Sequence, residues 1–183
     1  MQFNNRENRC YKTEDGDVWH SRSVAVVGLV LMIHEGEKYV LLGKRGQALP
    51  NEVGKYSLPC GYLDWNETCE QAVVREVYEE TGLNLYKLVN NYTVLYDHLH
   101  FPWRINSEPD NKVQNISMHY AVYLQTEKVV GGEFAELPKL NVDGNVDPEE
   151  VSDIIWVKVS DIHQYECAFN HDNVIKVFVN SLP

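Results

Sequence analysis

The chain has 183 residues, 44% of them hydrophobic, with 27 acidic side chains against 16 basic ones and a formal net charge of −11. This length and apolar content fit one globular domain over 1–183 with a sizeable core. The excess of negative charge argues against a nucleic-acid backbone or an anionic membrane as the main partner, but it allows a small anionic substrate whose contact is mediated by a metal cation.

Residues 1–18 are polar and predict a loose arm or an edge strand. VAVVGLVLMI (24–33) predicts a buried strand, since β-branched side chains favour the pleated backbone. HEGEK turns around Gly36, and YVLLGKR (39–45) returns as the second strand of a hairpin. Residues 46–60, with Pro50, Gly54 and Pro59, predict an irregular loop that ends in YSLPCG. A helix follows, with Asn66 as its N-cap, Glu67 in its first turn and Gly82 just past its last residue. Val73, Val74 and Val77 make its apolar side, and Cys69 and Ala72 are small residues beneath the acidic face, which would leave room for a ligand. Downstream, 92–101, 116–124 and 154–159 predict strands, 160–166 and 171–180 predict two closing helices with Ser160 as a cap, and 131–153 is a long acidic loop. Strands interspersed with helices indicate an α/β domain.

The four cysteines, Cys10, Cys60, Cys69 and Cys167, include no CxxC pair, and the chain opens with the polar MQFNNRENRC. Reduced thiols in a cytoplasmic protein are the expectation, and the sequons at Asn66, Asn91 and Asn115 are then incidental. The longest apolar run, 24–33, is too short to span a bilayer, so no membrane partner is expected.

The chemistry concentrates in REVYEETG (75–82). Glu76, Glu79 and Glu80 fall within about a 100° arc of one helical face. Each like-charge pair at such spacing costs a few tenths of a kcal/mol. Taken alone, the three glutamates are equally an ordinary solvated acidic face. As a set of hard oxygen donors on a rigid helix, they suit Mg²⁺ or Mn²⁺, which prefer carboxylates, water and substrate phosphates.

The helix belongs to a longer pattern: Gly61, five residues, Glu67, seven residues, then Arg75-Glu76-Val77-Tyr78-Glu79-Glu80-Thr81-Gly82-Leu83. Here the chain resembles the Nudix hydrolases, whose signature GX5EX7REUXEEXGU, with U aliphatic, is filled at every defined position. Seven fixed residues at average frequencies would match by chance on the order of once in a million chains.

The resemblance implies a Nudix-like α/β/α sandwich with a mixed β-sheet. It implies Mg²⁺-dependent (or Mn²⁺-dependent) hydrolysis of the phosphoanhydride in a nucleoside diphosphate linked to another moiety, of the ADP-ribose, nucleotide-sugar, dinucleotide or dNTP class. Glu76, Glu79 and Glu80 would ligate the ions together with the Gly61 carbonyl. Glu76, Glu79 and Arg75 would form the catalytic group, with Glu76 the first choice of general base. Arg75 and Glu67 would hold the loop to the helix and orient the ligands. Family members often carry a further carboxylate before the last strand. Glu150 is the best-spaced candidate, with Glu149 and Asp147 beside it, although a solvated loop position is the plainer reading of each. Family members also often dimerise, which implies a homodimer here.

Outside the box, no residue decides the substrate. LLGKRGQA (41–48) matches the coenzyme A type only in part, Leu99 stands where the ADP-ribose type often has proline, and FPWRINSEP (101–109) departs from the NADH type. His98 and His100 alternate as if on one side of a strand, without a third metal ligand at recognisable spacing. Trp19, Tyr96, Trp103 and Phe169 suit either base stacking or the core, and Arg22 and Arg45 suit either phosphate or solvent. A sensor would be expected to carry a DNA-binding domain beyond the closing helix, and a binding module or an isoprenoid isomerase to depart from the box, which is intact here.

Overall fold

The computed structural model describes residues 9–20, 24–107, 115–127 and 135–182. In chain order these form β1 (Arg9–Thr13), β2 (Gly16–His20), β3 (Val24–His34), β4 (Glu37–Arg45), β5 (Tyr56–Ser57), β6 (Cys60–Tyr62), α1 (Cys69–Thr81) and α2 (Leu85–Asn91). There follow β7 (Thr93–His98), β8 (Arg104–Asn106), β9 (Ile116–Gln125), β10 (Val151–Lys158) and α3 (His171–Ser181), with 3₁₀ turns at Val159–Gln164 and Ala168–Asn170. Arg22, the first eight residues and residues 131–134 of the acidic loop lie outside the described residues, as does the side chain of Trp19.

β3 reads as a continuous apolar run because it is covered on both faces. Val26, Val30 and Met32 pack with Ala72, Val73, Val74 and Val77 of α1, whereas Val27, Leu29 and Leu31 pack with Val174, Ile175 and Phe178 of α3. The main sheet runs β10-β4-β3-β9-β7, with β3 and β9 parallel and the other pairs antiparallel. The result is an α/β fold with a mixed sheet and helices on its two sides.

The sheet forks where residues 56–62 enter it. β3 pairs with β4 only over Leu31–His34; towards its start it pairs instead with β6, Val26 opposite Gly61 and Val27 opposite Cys60. The end of β4 leaves β3 and pairs with β5, Gly43 opposite Ser57. Residues 56–62 fill the wedge, and the Gly28 N–H donates to the Pro59 carbonyl across it at 2.8 Å. A Cβ on Gly28 would lie 2.6 Å from a Val77 methyl, so the bare backbone lets α1 press close against β3.

Several expectations change in the structure. The N-cap of α1 is Thr68, not Asn66: the Thr68 hydroxyl accepts from Gln71 N–H, and the Gln71 side chain accepts from Thr68 N–H. Asn66 instead takes a left-handed turn conformation, with φ 68°, one residue before Glu67. Gly82 does end the helix, with φ 76°. Ala72 is fully buried in the core and opens no space for a ligand. β5 forms inside the expected loop, and α2 and β8 appear where no element was expected. The segment 160–166 is a 3₁₀ turn, with the Ser160 hydroxyl on Asp161 rather than capping. β7 stops at His98, so His98 and His100 do not share a strand face; His100 reaches the Glu70 carboxylate at 2.9 Å. Among the described residues, β1 and β2 pair only with each other, as a two-stranded sheet. All four cysteines are free thiols. Among the described residues, no helix is long and apolar enough to cross a membrane.

Candidate active site

Arg75 leaves α1 on the side facing the wedge, and its guanidinium meets three carboxylates and a carbonyl. Nε donates to Glu67 at 3.1 Å, and one terminal nitrogen donates to Glu67 at 2.8 Å and to the Tyr62 carbonyl at 3.0 Å. The other terminal nitrogen donates to Glu76 at 2.6 Å and to Glu79 at 2.9 Å. Glu67 also accepts the Asp64 N–H at 2.6 Å, which closes the turn before the helix. The Arg75 and Glu67 side chains are 6% and 5% exposed, so this is an interior network whose members depend on one another. Burial opposes the charge on Arg75, but its bonds with Glu67, Glu76 and Glu79 outweigh that and raise its pKa.

The three helix glutamates share a property that decides what they can do. Glu76 gives Oε1 to Arg75, Glu79 gives Oε2 to Arg75, and Glu80 gives Oε2 to the Cys60 N–H at 3.3 Å. Each therefore keeps its second oxygen free of any hydrogen bond among the described residues. Burial pushes the Glu76 carboxyl up to about 7, against the pull of Arg75. Burial also raises Glu80 well above the usual range, and Glu76 adds to the rise. Among the described residues no three acidic, His or Cys side chains converge on one point, so any ion here would take part of its coordination from water or substrate.

Gly61 lies directly over Glu76. A Cβ there would lie 2.2 Å from Glu76 Oε1, so any other residue would push the Glu76 carboxylate from its place beside Arg75. Glu150 is exposed, but its backbone carbonyl accepts the Gly46 N–H at 2.7 Å, which ties the acidic loop to the end of β4. Its charge reaches Glu80 and contributes to the raised pKa there, after burial and Glu76. Glu149 and Asp147 are also exposed; the Glu149 carbonyl accepts from Ala48 N–H, and the Asp147 side chain accepts from Glu149 N–H. Sequence reasoning missed the Tyr62 carbonyl and the Asp64 N–H. They belong to the backbone, and nothing in the side-chain pattern marks them.

Other residues singled out in the sequence go elsewhere. Tyr96 and Trp103 pack with Phe178 on the α3 face, and Cys60 is a thiol whose pKa burial pushes up. The same face holds two neutral imidazoles. His171 accepts the Leu58 N–H at 3.0 Å, and the two nitrogens of His119 have no hydrogen-bond partner among the described residues. Burial holds His119 down at about 4 and His171 down at about 3.

At these two imidazoles the unfolded chain therefore binds more protons than the folded one once the pH drops below about 6.5. Stability from keeping these rings neutral is complete near pH 7 and is lost as the pH falls towards 4 and 3. Glu76 and Glu80, with raised pKa values, act in the opposite sense, so the test must isolate the imidazole. His119→Leu should lose less stability than the parent between pH 7 and pH 5, by on the order of 1–2 kcal/mol in urea unfolding. Equal losses in the two proteins would refute the assignment.

The NUDIX domain family model matches residues 22–178. A 70-residue segment is 36% identical to an NAD-capped RNA hydrolase of Schizosaccharomyces pombe, covering 38% of this chain and 18% of the relative. A 61-residue segment is 39% identical to an ADP-ribose pyrophosphatase of Methanocaldococcus jannaschii, covering 33% of this chain and 32% of the relative. The matched part of the chain thus spans less than a third of either relative's length. Among solved structures, the NUDIX domain of Shewanella oneidensis NrtR complexed with ADP ribose superposes with a TM-score of 0.61 at 20% identity, covering 87% of this chain and 88% of that one.

Proposed function

The chain belongs to the NUDIX domain family, and on that premise we propose that it is a divalent-metal-dependent pyrophosphohydrolase acting on a nucleoside diphosphate linked to a second moiety. The observation that carries this reading is the free carboxylate oxygen on each of Glu76, Glu79 and Glu80, two of which, Glu76 and Glu80, have pKa values raised chiefly by burial.

Mg²⁺ fits this donor set, with Mn²⁺ as an alternative: the oxygens are hard, and Mg²⁺ commonly binds through one or two carboxylates plus water and substrate phosphates rather than in an all-protein cage. Glu76, Glu79, Glu80 and the Gly61 carbonyl are the proposed donors, one or two carboxylates to an ion with water or substrate oxygens completing its coordination, and Glu150 is a further ligand or base. When bound, the ion supplies charge to the diphosphate and acidifies water. Arg75 and Glu67 fix the rotamers of Glu76 and Glu79, so their free oxygens are presented without reorganisation. Glu76 is the first choice of base to take the proton of the attacking water. Water adds to one phosphorus, the bridging P–O bond breaks, and two phosphate monoesters leave, one carrying the oxygen of water. No covalent bond to the protein forms.

For the substrate, NAD and ADP-ribose, named in the two relatives, share an ADP-ribosyl diphosphate, and we assign that class here. The net charge of −11 favours the small diphosphate over a capped RNA. The test is a product-resolved screen with Mg²⁺ or Mn²⁺ over ADP-ribose, NADH, NAD-capped RNA, nucleotide sugars, dinucleoside polyphosphates and oxidised dNTPs. AMP and ribose 5-phosphate in equal amounts from ADP-ribose are expected. Metal-dependent binding without any product would replace the hydrolase by a nucleotide-binding module.

A further inference from the structure

Of the aromatic side chains that suit either base stacking or the core, Tyr96 and Trp103 pack on the α3 face, whereas Phe169 stays at the surface, 47% exposed. It sits in the 3₁₀ turn Ala168–Asn170, where Phe169 and Asn170 both take the left-handed region, at φ 53° and φ 58°. For a bulky residue this backbone is an outlier, and it persists only where the surroundings impose it. Burial of the ring does not offset the strain. The turn is instead sewn to the wedge on both sides: Tyr56 N–H donates to the Glu166 carbonyl at 2.9 Å, and Leu58 N–H donates to His171 Nδ1 at 3.0 Å. The same wedge then reaches the acidic face, where Cys60 N–H donates to Glu80 and Gly61 lies over Glu76. Leu58 to Gly61 is three residues, at most about 10 Å of extended chain. Phe169 and the carboxylates thus hang by direct hydrogen bonds on one short segment. One face of the ring carries the Arg45 guanidinium, 4.7 Å from the centroid, and His171 meets it at 5.6 Å with the planes at 62°. Among the described residues no ring or cation covers the opposite face.

We propose that the open face of Phe169 is the stacking platform for the nucleobase of the substrate, a neutral purine of the adenine type. The inference rests on the diphosphate-hydrolase reading and adds to it an anchor for the base, separate from the metal and the phosphates. In a nucleoside diphosphate the base stands one ribose away from the nearest phosphate, and the wedge sets Phe169 a few residues along from the carboxylates. The left-handed pair fixes the ring before substrate arrives, so little conformational freedom is lost on stacking. Every base offers a flat π-face, so this contact supplies affinity for a base without reading its edge. Arg45 adds a preference: with one cation already on the ring, a second cationic partner such as an oxidised nicotinamide is the poorer occupant, and a neutral base is favoured.

The experiment compares ligands with and without a base. Phe169→Gly should raise KM for ADP-ribose and weaken competitive inhibition by AMP, each roughly 5- to 100-fold, with kcat nearly unchanged. Inhibition by ribose 5-phosphate, which carries no base, should stay at the parent value. Glycine takes φ 53° without strain, so the thermal midpoint should hold or rise while the base is lost, a split that a purely structural role for the ring would not produce. Phe169→Trp should keep the parent KM and gain an indole whose fluorescence AMP quenches and ribose 5-phosphate does not, a readout that needs no turnover. Unmoved AMP inhibition in Phe169→Gly, or equal weakening of both inhibitors, overturns the stack and leaves the hydrolase reading standing. A Phe169→Gly protein that melts well below the parent assigns the ring to folding and also overturns the stack. AMP quenching in Phe169→Trp beside a parent that releases no product from any diphosphate overturns the hydrolase reading and leaves the stack. Neither product nor quenching overturns both.

Discussion

Glu80→Gln should reduce turnover by roughly three orders of magnitude while leaving the fold in place. The side chain sits at the closed end of the acidic face, where burial and Glu76 together raise its pKa well above the usual carboxylate range. Glutamine keeps the shape and the acceptor for the Cys60 N–H, so the wedge stays attached to α1. What it removes is the negative charge opposite a bound cation. Mn²⁺ affinity should fall by about 10- to 100-fold, and the thermal midpoint should hold or rise, because one member of a crowded set of carboxylates has been neutralised. Glu76→Gln should behave alike in turnover. Near-parental kcat for both proteins at limiting Mg²⁺ would sink metal-assisted hydrolysis as the mechanism.

Arg75→Met should have the largest effect on stability. It leaves Glu67 buried with no cation and frees Glu76 and Glu79 to repel each other, and removing one partner of a buried ion pair commonly costs about 3–5 kcal/mol. The loss should be visible in urea unfolding at pH 7. Two further measurements tie it to electrostatics rather than to packing. Adding Glu67→Leu should recover part of the stability, since an apolar pair of similar volume replaces a broken ionic one. Millimolar Mg²⁺ should also protect the variant, because a divalent ion compensates the two carboxylates left without their arginine. A double variant as unstable as Arg75→Met alone, with no response to Mg²⁺, would mean that Arg75 acts as a space-filler.

Much of the architecture was legible because it is written in periods and side-chain types. β3 and β4 announce themselves as apolar runs, and α1 has a valine side facing inward and a left-handed glycine after its last turn. The errors came where two residues compete for one local role. Asn66 and Thr68 are both good caps, and only the demand of Arg75 and Asp64 on Glu67 draws the chain into a turn that delays the helix to Cys69. α2 and β8 are short and held by tertiary contacts, so they have no strong period of their own.

For the candidate site, the carboxylates and Arg75 stand out as a motif, but the partner of each atom does not. That Glu80 takes the Cys60 N–H, that Tyr62 offers its carbonyl to Arg75, and that the Glu150 backbone is pinned to Gly46 all depend on how the wedge enters the fork. Arg45 was ambiguous for the same reason. Its neighbour Phe169 is more than a hundred positions away, and a stacked pair so distant in sequence leaves no local trace.

The parallel pairing of β3 with β9 has a consequence for the order in which the molecule can be made. Every residue of the box has been synthesised by position 83, yet the strand that flanks β3 on its far side does not begin until Ile116. During translation the nascent chain therefore passes through a stage in which the acidic helix is complete while the edge of Val24–His34 has no neighbour. An unpaired apolar edge of that length invites association with other chains. A product terminated within residues 84–115 would carry all the glutamates and Arg75 and still lack a closed sheet to hold them, so premature termination there would yield aggregate rather than a smaller working protein.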